Sequence, residues 1–257
     1  SWLRLIQKHQ VTIWNSVPAL MTMLTNGSHN NIIKSLRLVL LSGDYFPVEL
    51  FDKIKNITQD CEIISLGGAT EASIWSIYFP LNELEKKQEV VPYGYPLANQ
   101  SMYVLNESLD LCPIHVQGNI YIGGKGVAKG YVNDKIKTRN QFIIHPKTKE
   151  YIYKTGDLGA LNHKGQLSFL GRIDEQVKIN GFRIELGEIE SKLKSYELLE
   201  DVAVIAKDIK ETKHLIAYVS QKKLHTLTPS KLQSQGIIIN PYERLDFKLS
   251  QRGNRSA

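Results

Sequence analysis

Cysteine is scarce in this chain: only Cys61 and Cys112 occur, neither in a CxxC pair nor at metal-ligand spacing from a histidine. A disulfide framework and a cysteine-rich zinc site are thereby excluded, and both thiols are expected to be reduced, as in a cytosolic protein. Apolar runs of membrane-spanning length are also missing. The opening residues SWLRLIQKHQVTIW lack the charged-then-apolar order of a secretory signal and read as an amphipathic helix in mid-course, so the chain is expected to begin inside a domain. One-signed charge is absent from the body as well. The net charge is +6, but residues 221–257 hold 7 Lys/Arg against 2 Asp/Glu, leaving 25 against 24 in the first 220 residues. A body so balanced carries no electrostatic footprint for nucleic acid, and the basic tail reads as a solvated or interrupted segment.

What is present is globular. With 257 residues, 42% hydrophobic and 23% charged, the chain can build one large or two ordinary domains. The runs LRLVLLSG (36–43) and CEIISLGG (61–68) flank the helical pattern VELFDKIKNI (48–57), which predicts parallel strands joined by a right-handed crossover. Ligands of such sheets collect at the carboxyl ends of the strands, where Ser42-Gly43 and Leu66-Gly67-Gly68 fall. From about residue 93 the segments SMYVLNE, GNIYIGG, YIYKTGD and GQLSFLG alternate and predict an antiparallel, barrel-like or meandering sheet. RIDEQVKINGFRIE predicts a hairpin turning at Asn180-Gly181, followed by a helix over LGEIESKLKSYELL and the strands VAVIAK and HLIAYVS. A boundary is expected at 172–175, and from 221 onward the sequence reads as polar linker without a period.

Four stretches carry chemistry. In LGGATEASIW (66–75) two glycines permit close backbone approach, and the hydroxyl of Thr70 and the carboxylate of Glu71 suit a phosphate or a metal. GNIYIGGKGVAKGY (118–131) reads as a glycine-studded hairpin, and YKTGDL (153–158) as a strand ending in a carboxylate. GRIDEQVKINGFRIELGEIE (171–190) strings Arg, Asp, Lys and Arg around a turn. In this order they closely resemble the adenylate-forming enzymes, specifically the amino-acid adenylation domains of nonribosomal peptide synthetases.

The resemblance covers residues 1 to about 220. It implies an α/β, acyl-adenylate synthetase-like fold. Residues 1–173 would be the later half of a large N-terminal subdomain with a parallel sheet and a β-barrel, and residues 174–220 the start of a small, mobile α+β C-terminal subdomain. It also implies a two-step reaction in which an amino-acid carboxylate attacks the α-phosphate of ATP, releasing pyrophosphate, and a carrier-protein phosphopantetheine thiol then takes the aminoacyl group. Such chemistry needs charge stabilisation by a divalent cation and hydrogen-bond donors more than covalent work by the protein. By the same resemblance Thr70 contacts phosphate, Glu71 binds Mg2+, and Gly67, Gly68 and Ala69 line the nucleotide. Asp157 holds the ribose diol with Arg172 beside it, and Asp174 is the hinge of the small subdomain. Lys178, with Gly181 and Arg183, would serve the thioester state along the path of the pantetheine arm. The family usually has an aromatic residue at the position of Gly67 and Gly-Pro in place of Gly68-Ala69, so adenine stacking from that side is expected to be lost unless another aromatic such as Tyr45 substitutes.

The side-chain pocket implied comprises Asn15, Leu40, Ser42, Leu66, Ile74 and Trp75, a set that resembles cysteine-activating domains. Leu66, Ile74 and Trp75 would give a small apolar pocket for a polarizable thiol, with Ser42 and Asn15 as a polar edge. Such a pocket discriminates an isosteric hydroxyl by roughly a hundredfold at best.

Other features of the family are not found: a phosphate loop before Asn15, an acidic partner for the substrate's amino group, and, after residue 220, the C-terminal lysine and a carrier domain. The chain is therefore expected to be a fragment with little activity alone. NPYERLDFKLSQRGNR (240–255) resembles the start of the flavin-dependent oxidase domains inserted into some adenylation domains, which would add FMN beyond residue 257 and a thiazole product, with 221–257 otherwise a linker. The alternatives are an acyl-CoA or aryl-acid ligase, a glutamine-activating domain of the indigoidine type, and a non-catalytic remnant.

Overall fold

The computed structural model describes residues 2–27, 32–84, 90–174, 176–179, 181–197, 199–209, 212–221 and 245–249. The chain divides into two compact units, Ser1–Asp174 and Glu175–Ala257.

In the first unit, helix α1 (Trp2–His9) buries Ile6. It is shorter than its sequence reading. Gln10 takes a φ of 49°, and the β-branched residues that follow lead into strand β1 (Ile13–Ser16), so Trp14 lies in a sheet and not on a helix. Pro18 opens α2 (Pro18–Asn26), its fixed φ and missing N–H being tolerated in a first turn. Strand β2 (Leu38–Leu41), helix α3 (Val48–Ile57) and strand β3 (Glu62–Gly67) form the crossover expected from the two apolar runs. With β4 (Ile77–Pro80) and β5 (Tyr95–Pro96) the strands make a five-stranded sheet in the order β1-β2-β3-β4-β5. The first three strands are parallel and the last two antiparallel. Val39, Leu41 and Ile63 turn to one face and pack with Ile6, Met21, Leu24, Leu50 and Ile54 into the core beneath the three helices.

The second sheet is antiparallel, as the alternating segments predict. It is built from β6 (Gln100–Leu105), β7 (Gly118–Gly124), β8 (Phe142–Ile144), β9 (Tyr151–Leu161) and β10 (Leu167–Arg172), in the order β10-β9-β7-β6 with β8 on β9. Helix α4 (Lys135–Gln141) precedes β8 and is capped by the Asp134 side chain, which accepts from the Lys137 amide. Two local readings change. Residues 118–131 do not fold on themselves: β7 pairs with β6 and β9, and a loop follows Gly124. Asp157 does not end a strand, because β9 runs through it to Leu161.

The two sheets are joined where the β3–β4 loop enters the second. Ala69 and Ala72 pack with Ile122, Phe142 and Tyr153, and Ile77 packs with Val104, Ile120 and Leu167.

The second unit opens on the hairpin of β11 (Gln176–Ile179) and β12 (Phe182–Glu185), with Gly181 at a φ of 86° in its turn; Asn180 lies outside the described residues. Helix α5 (Leu186–Lys194) and the antiparallel pair β13 (Leu199–Ile209) and β14 (Thr212–Gln221) follow, and Leu186, Leu193, Val204, Leu215 and Ala217 make their core. The helix stops short of the LGEIESKLKSYELL pattern at Ser195. The segment Leu245–Leu249 forms β15, parallel to β14; the linker and oxidase start read over 221–257 otherwise lie outside the described residues.

Candidate active site

The site begins where β3 runs out. After Gly67 the chain makes a single turn of 3-10 helix over Thr70–Ala72 and returns so that the Ser76 amide donates to the Gly67 carbonyl at 2.8 Å. Inside the loop the amides of Ala72 and Ile74 both donate to the Ala69 carbonyl, at 2.9 and 3.1 Å. The loop thus has its own hydrogen-bond scaffold. Thr70 is exposed at its tip, and Glu71 is half-buried and held from both ends. The Ala128 amide donates to the Glu71 carbonyl at 2.8 Å, and the Tyr131 hydroxyl donates to the Glu71 carboxylate at 2.8 Å.

Tyr131 escaped the sequence reading. It ends the GNIYIGGKGVAKGY stretch, but its partner lies 60 residues away, and no local pattern signals that contact. Burial, and then the Glu71 carboxylate it serves, push its phenol well above the ordinary tyrosine range, so it remains a proton donor. One carboxylate beside an exposed hydroxyl fits Mg2+, which keeps several waters and takes one or two protein carboxylates along with substrate phosphates. Among the described residues no three His, Cys, Asp or Glu side chains are grouped to enclose a metal.

The second part is an ion cluster. Arg172, at the end of β10, lies opposite Asp157 in the antiparallel register and pairs with its carboxylate. The same guanidinium grips Asp174 in a fork, Nε to Oδ1 at 2.5 Å and Nη2 to Oδ2 at 2.7 Å, and Nη2 also donates to the Thr155 carbonyl at 3.2 Å. The three residues assigned separately to ribose, nucleotide and hinge therefore form one charge-assisted network. Gly156 makes it possible: its φ is 80°, and a Cβ there would stand 2.7 Å from Arg172 Nη2.

The third part is the sheet face turned away from the helical core. Asn15 pairs with Leu40 and Leu40 with Ile64, while Ser42 and Leu66 continue the same alternation. Four residues from three strands thus share one face. Leu66 is buried, Leu40 and Ser42 are half-buried and Asn15 is exposed. Ile74 and Trp75 behave differently from an enclosing wall. Ile74 is 67% exposed and has a φ of 71°, so it stands at a rim, and Trp75 is half-buried with its indole N–H shielded and without a hydrogen-bond partner. A β-branched residue in the left-handed region is uncommon, and so is a shielded, unpaired indole N–H.

Tyr45, named as one aromatic that could substitute for the missing ring at position 67, is 52% exposed; the ring against Gly67 is that of Tyr93. Lys178 and Arg183 belong to the second unit, where they face each other across the β11–β12 hairpin.

The AMP-binding enzyme family matches residues 1–132, and the chain belongs to that family. It has the acyl-adenylate synthetase fold. Bacitracin synthase 1 of Bacillus licheniformis is 52% identical over 77% of this chain, which spans 4% of that protein. Pyochelin synthetase PchF of Pseudomonas aeruginosa is 39% identical over 85% of the chain and 12% of that protein. Among solved structures, the artificially fused adenylation-PCP di-domain NpsA-ThdA of Klebsiella oxytoca is 26% identical over 96% of this chain and 46% of its own, with a TM-score of 0.79. The chain thus spans a small part of the synthetases it matches.

Proposed function

We propose that the chain is the later part of a nonribosomal peptide synthetase adenylation domain, which uses ATP to activate an amino acid and passes it to the phosphopantetheine thiol of a carrier domain. The observation that carries this reading is the meeting of two features at the end of β3: the sheet face turned away from the helical core, which bears Asn15, Leu40, Ser42 and Leu66, and the loop presenting Thr70 and Glu71. An amino acid on that face would have its carboxylate beside the phosphates handled by the loop. Orientation at such a junction lowers the barrier through proximity, while Thr70 and a Mg2+ on Glu71 would meet the developing charge.

Asp157 would accept the ribose hydroxyls, with Arg172 holding its carboxylate in place. Gly67, Gly68 and Ala69 would let the nucleotide approach the backbone. Asp174 would lie at the pivot between residues 1–173 and a small subdomain starting at 174, and Lys178, with Arg183, would meet the anionic pantetheine arm in the thioester state.

L-cysteine is the amino acid this face fits best. Leu66 and Leu40 offer soft apolar contact for a thiol, Asn15 and Ser42 a polar edge, and the unpaired indole N–H of Trp75 a donor for a sulfur or carboxylate acceptor. A cysteine-derived heterocycle, oxidised by an FMN domain continuing the tail, is the product this substrate would allow, and a cytoplasmic location suits both the ATP supply and the free thiols.

The test is amino-acid-dependent ATP/pyrophosphate exchange across the twenty amino acids, in the full synthetase, with Asp157→Ala as control. Exchange with cysteine that the control abolishes supports the whole reading. Exchange with another amino acid overturns the substrate alone, and no exchange with any amino acid overturns the enzyme.

A further inference from the structure

Gly67 lies at the mouth of the proposed nucleotide cleft, and the space its side chain would fill is already taken. A Cβ built on Gly67 would fall 2.0 Å from Cε2 and 2.8 Å from Cζ of Tyr93. The ring is firmly carried. Gly94, the next residue, exchanges two backbone hydrogen bonds with Leu167 on β10, at 3.1 and 2.9 Å, and Phe169 on the same strand meets the Tyr93 ring edge-on with centroids 6.0 Å apart. Ile77, Val104 and Leu167 pack around it, yet the residue is only partly covered.

We propose that Tyr93 is the aromatic wall of the nucleoside subsite and that, through its ring against Gly67, it positions the Gly68–Glu71 loop against the phosphates. The inference rests on the adenylation reading above. It names which half of the substrate pair Tyr93 serves: the nucleoside, because Gly67 lies against its ring and Asp157 and Arg172 act on its phenol, whereas the proposed amino-acid face runs over β1, β2 and β3 as far as Leu66.

The surroundings of the hydroxyl agree. Burial, seconded by the Asp157 carboxylate, raises the phenol far above its ordinary value, and the Gly68 backbone and the Arg172 guanidinium oppose that rise only partly. The phenol therefore stays protonated. It keeps its own proton to give, and a nucleoside offers ring nitrogens and ribose oxygens as acceptors. A glycine at 67 and a tyrosine at 93 are thus two halves of one arrangement. The ring enters only because position 67 has no side chain, and it buttresses the start of a loop that its own hydrogen bonds hold together.

The experiment is steady-state pyrophosphate exchange by the full synthetase, with the KM for ATP and the KM for the amino acid measured separately, alongside thermal melts. Tyr93→Leu should raise the KM for ATP about tenfold, the scale of one aromatic contact with a base, and leave the KM for the amino acid within about twofold. Tyr93→Phe, which keeps the ring and loses the hydroxyl, should give a smaller rise in the same constant. Gly67→Ala should lower the melting temperature, and adding Tyr93→Leu should restore it in part, since a Cβ there would also stand 2.9 Å from Ile77 Cγ2. An unchanged KM for ATP in Tyr93→Leu overturns the inference, and so does an equal rise in both constants or a fall in melting temperature with no separation between them. If the unaltered synthetase shows no exchange at all, the adenylation reading itself fails and takes this inference with it.

Discussion

The Tyr131 hydroxyl donates to the Glu71 carboxylate at 2.8 Å, across 60 residues of sequence and from the loop after β7 to the loop after β3. Glu71 is therefore aimed by a side chain that the local motif around it does not contain. Tyr131→Phe removes the donor and keeps the ring packing on Phe142. The concentration of Mg2+ for half-maximal exchange should rise about tenfold, the lower end of what losing a ligand's orienting partner costs. A magnesium titration of the full synthetase checks this, and the melting temperature should change little.

Arg172 pairs with two carboxylates of different exposure. The side chains of Arg172 and Asp157 are 13% and 12% exposed, while that of Asp174 is 47% exposed. Arg172→Met removes the guanidinium paired with the buried Asp157 charge and should destabilise the fold by about 3 kcal/mol, whereas Asp174→Ala should cost under about 1 kcal/mol. Urea unfolding of the two variants gives the order, and equal losses would mean that Asp157 draws its stability from another partner.

Ile74 is held at a φ of 71° with 67% of its surface exposed, so neither burial nor backbone preference explains the residue. Ile74→Asn relieves a left-handed β-branched residue and should stabilise the fold by about 1 kcal/mol, raising the melting temperature by about 2–4 °C. If Ile74 serves at the rim of the amino-acid site, exchange should weaken as stability rises.

Alkaline pH should unfold the chain through its buried acids. Burial, opposed by Lys55 and aided by Glu62, raises the Cys61 thiol from 9.0 to about 11. A folded value above the unfolded one means the stabilisation is complete below about pH 9 and is lost as pH rises toward 11. Tyr93 and Tyr131 add to the decline with the same sign at higher pH. Denaturant midpoints measured across this window should fall less steeply in Cys61→Ala than in the unaltered chain.

The crossover of β2, α3 and β3 was legible because its signals are local: apolar runs of strand length, glycine stops, and a helical period that matches Val48–Ile57. The alternating strands after residue 93 and the hairpin at 176–185 were legible for the same reason. The helix read through Trp14 was not, since the β-branched residues after Gln10 favour extended backbone and the sheet offered Trp14 a place beside Val39.

By itself, the sequence determined the family, the order of the elements and the residue types at the site, because each of these is written in contiguous motifs such as GGATE and YKTGDL. Tertiary structure alone decided how those residues are held. Register sets Arg172 opposite Asp157, a left-handed glycine lets its guanidinium in, Tyr131 reaches Glu71 from the loop after β7, and Tyr93 fills the space that Gly67 leaves empty. The physical reason is range. Periodicity and turn chemistry act over a few residues, whereas the aim of a carboxylate or the wall of a cleft depends on contacts between segments that only packing brings together.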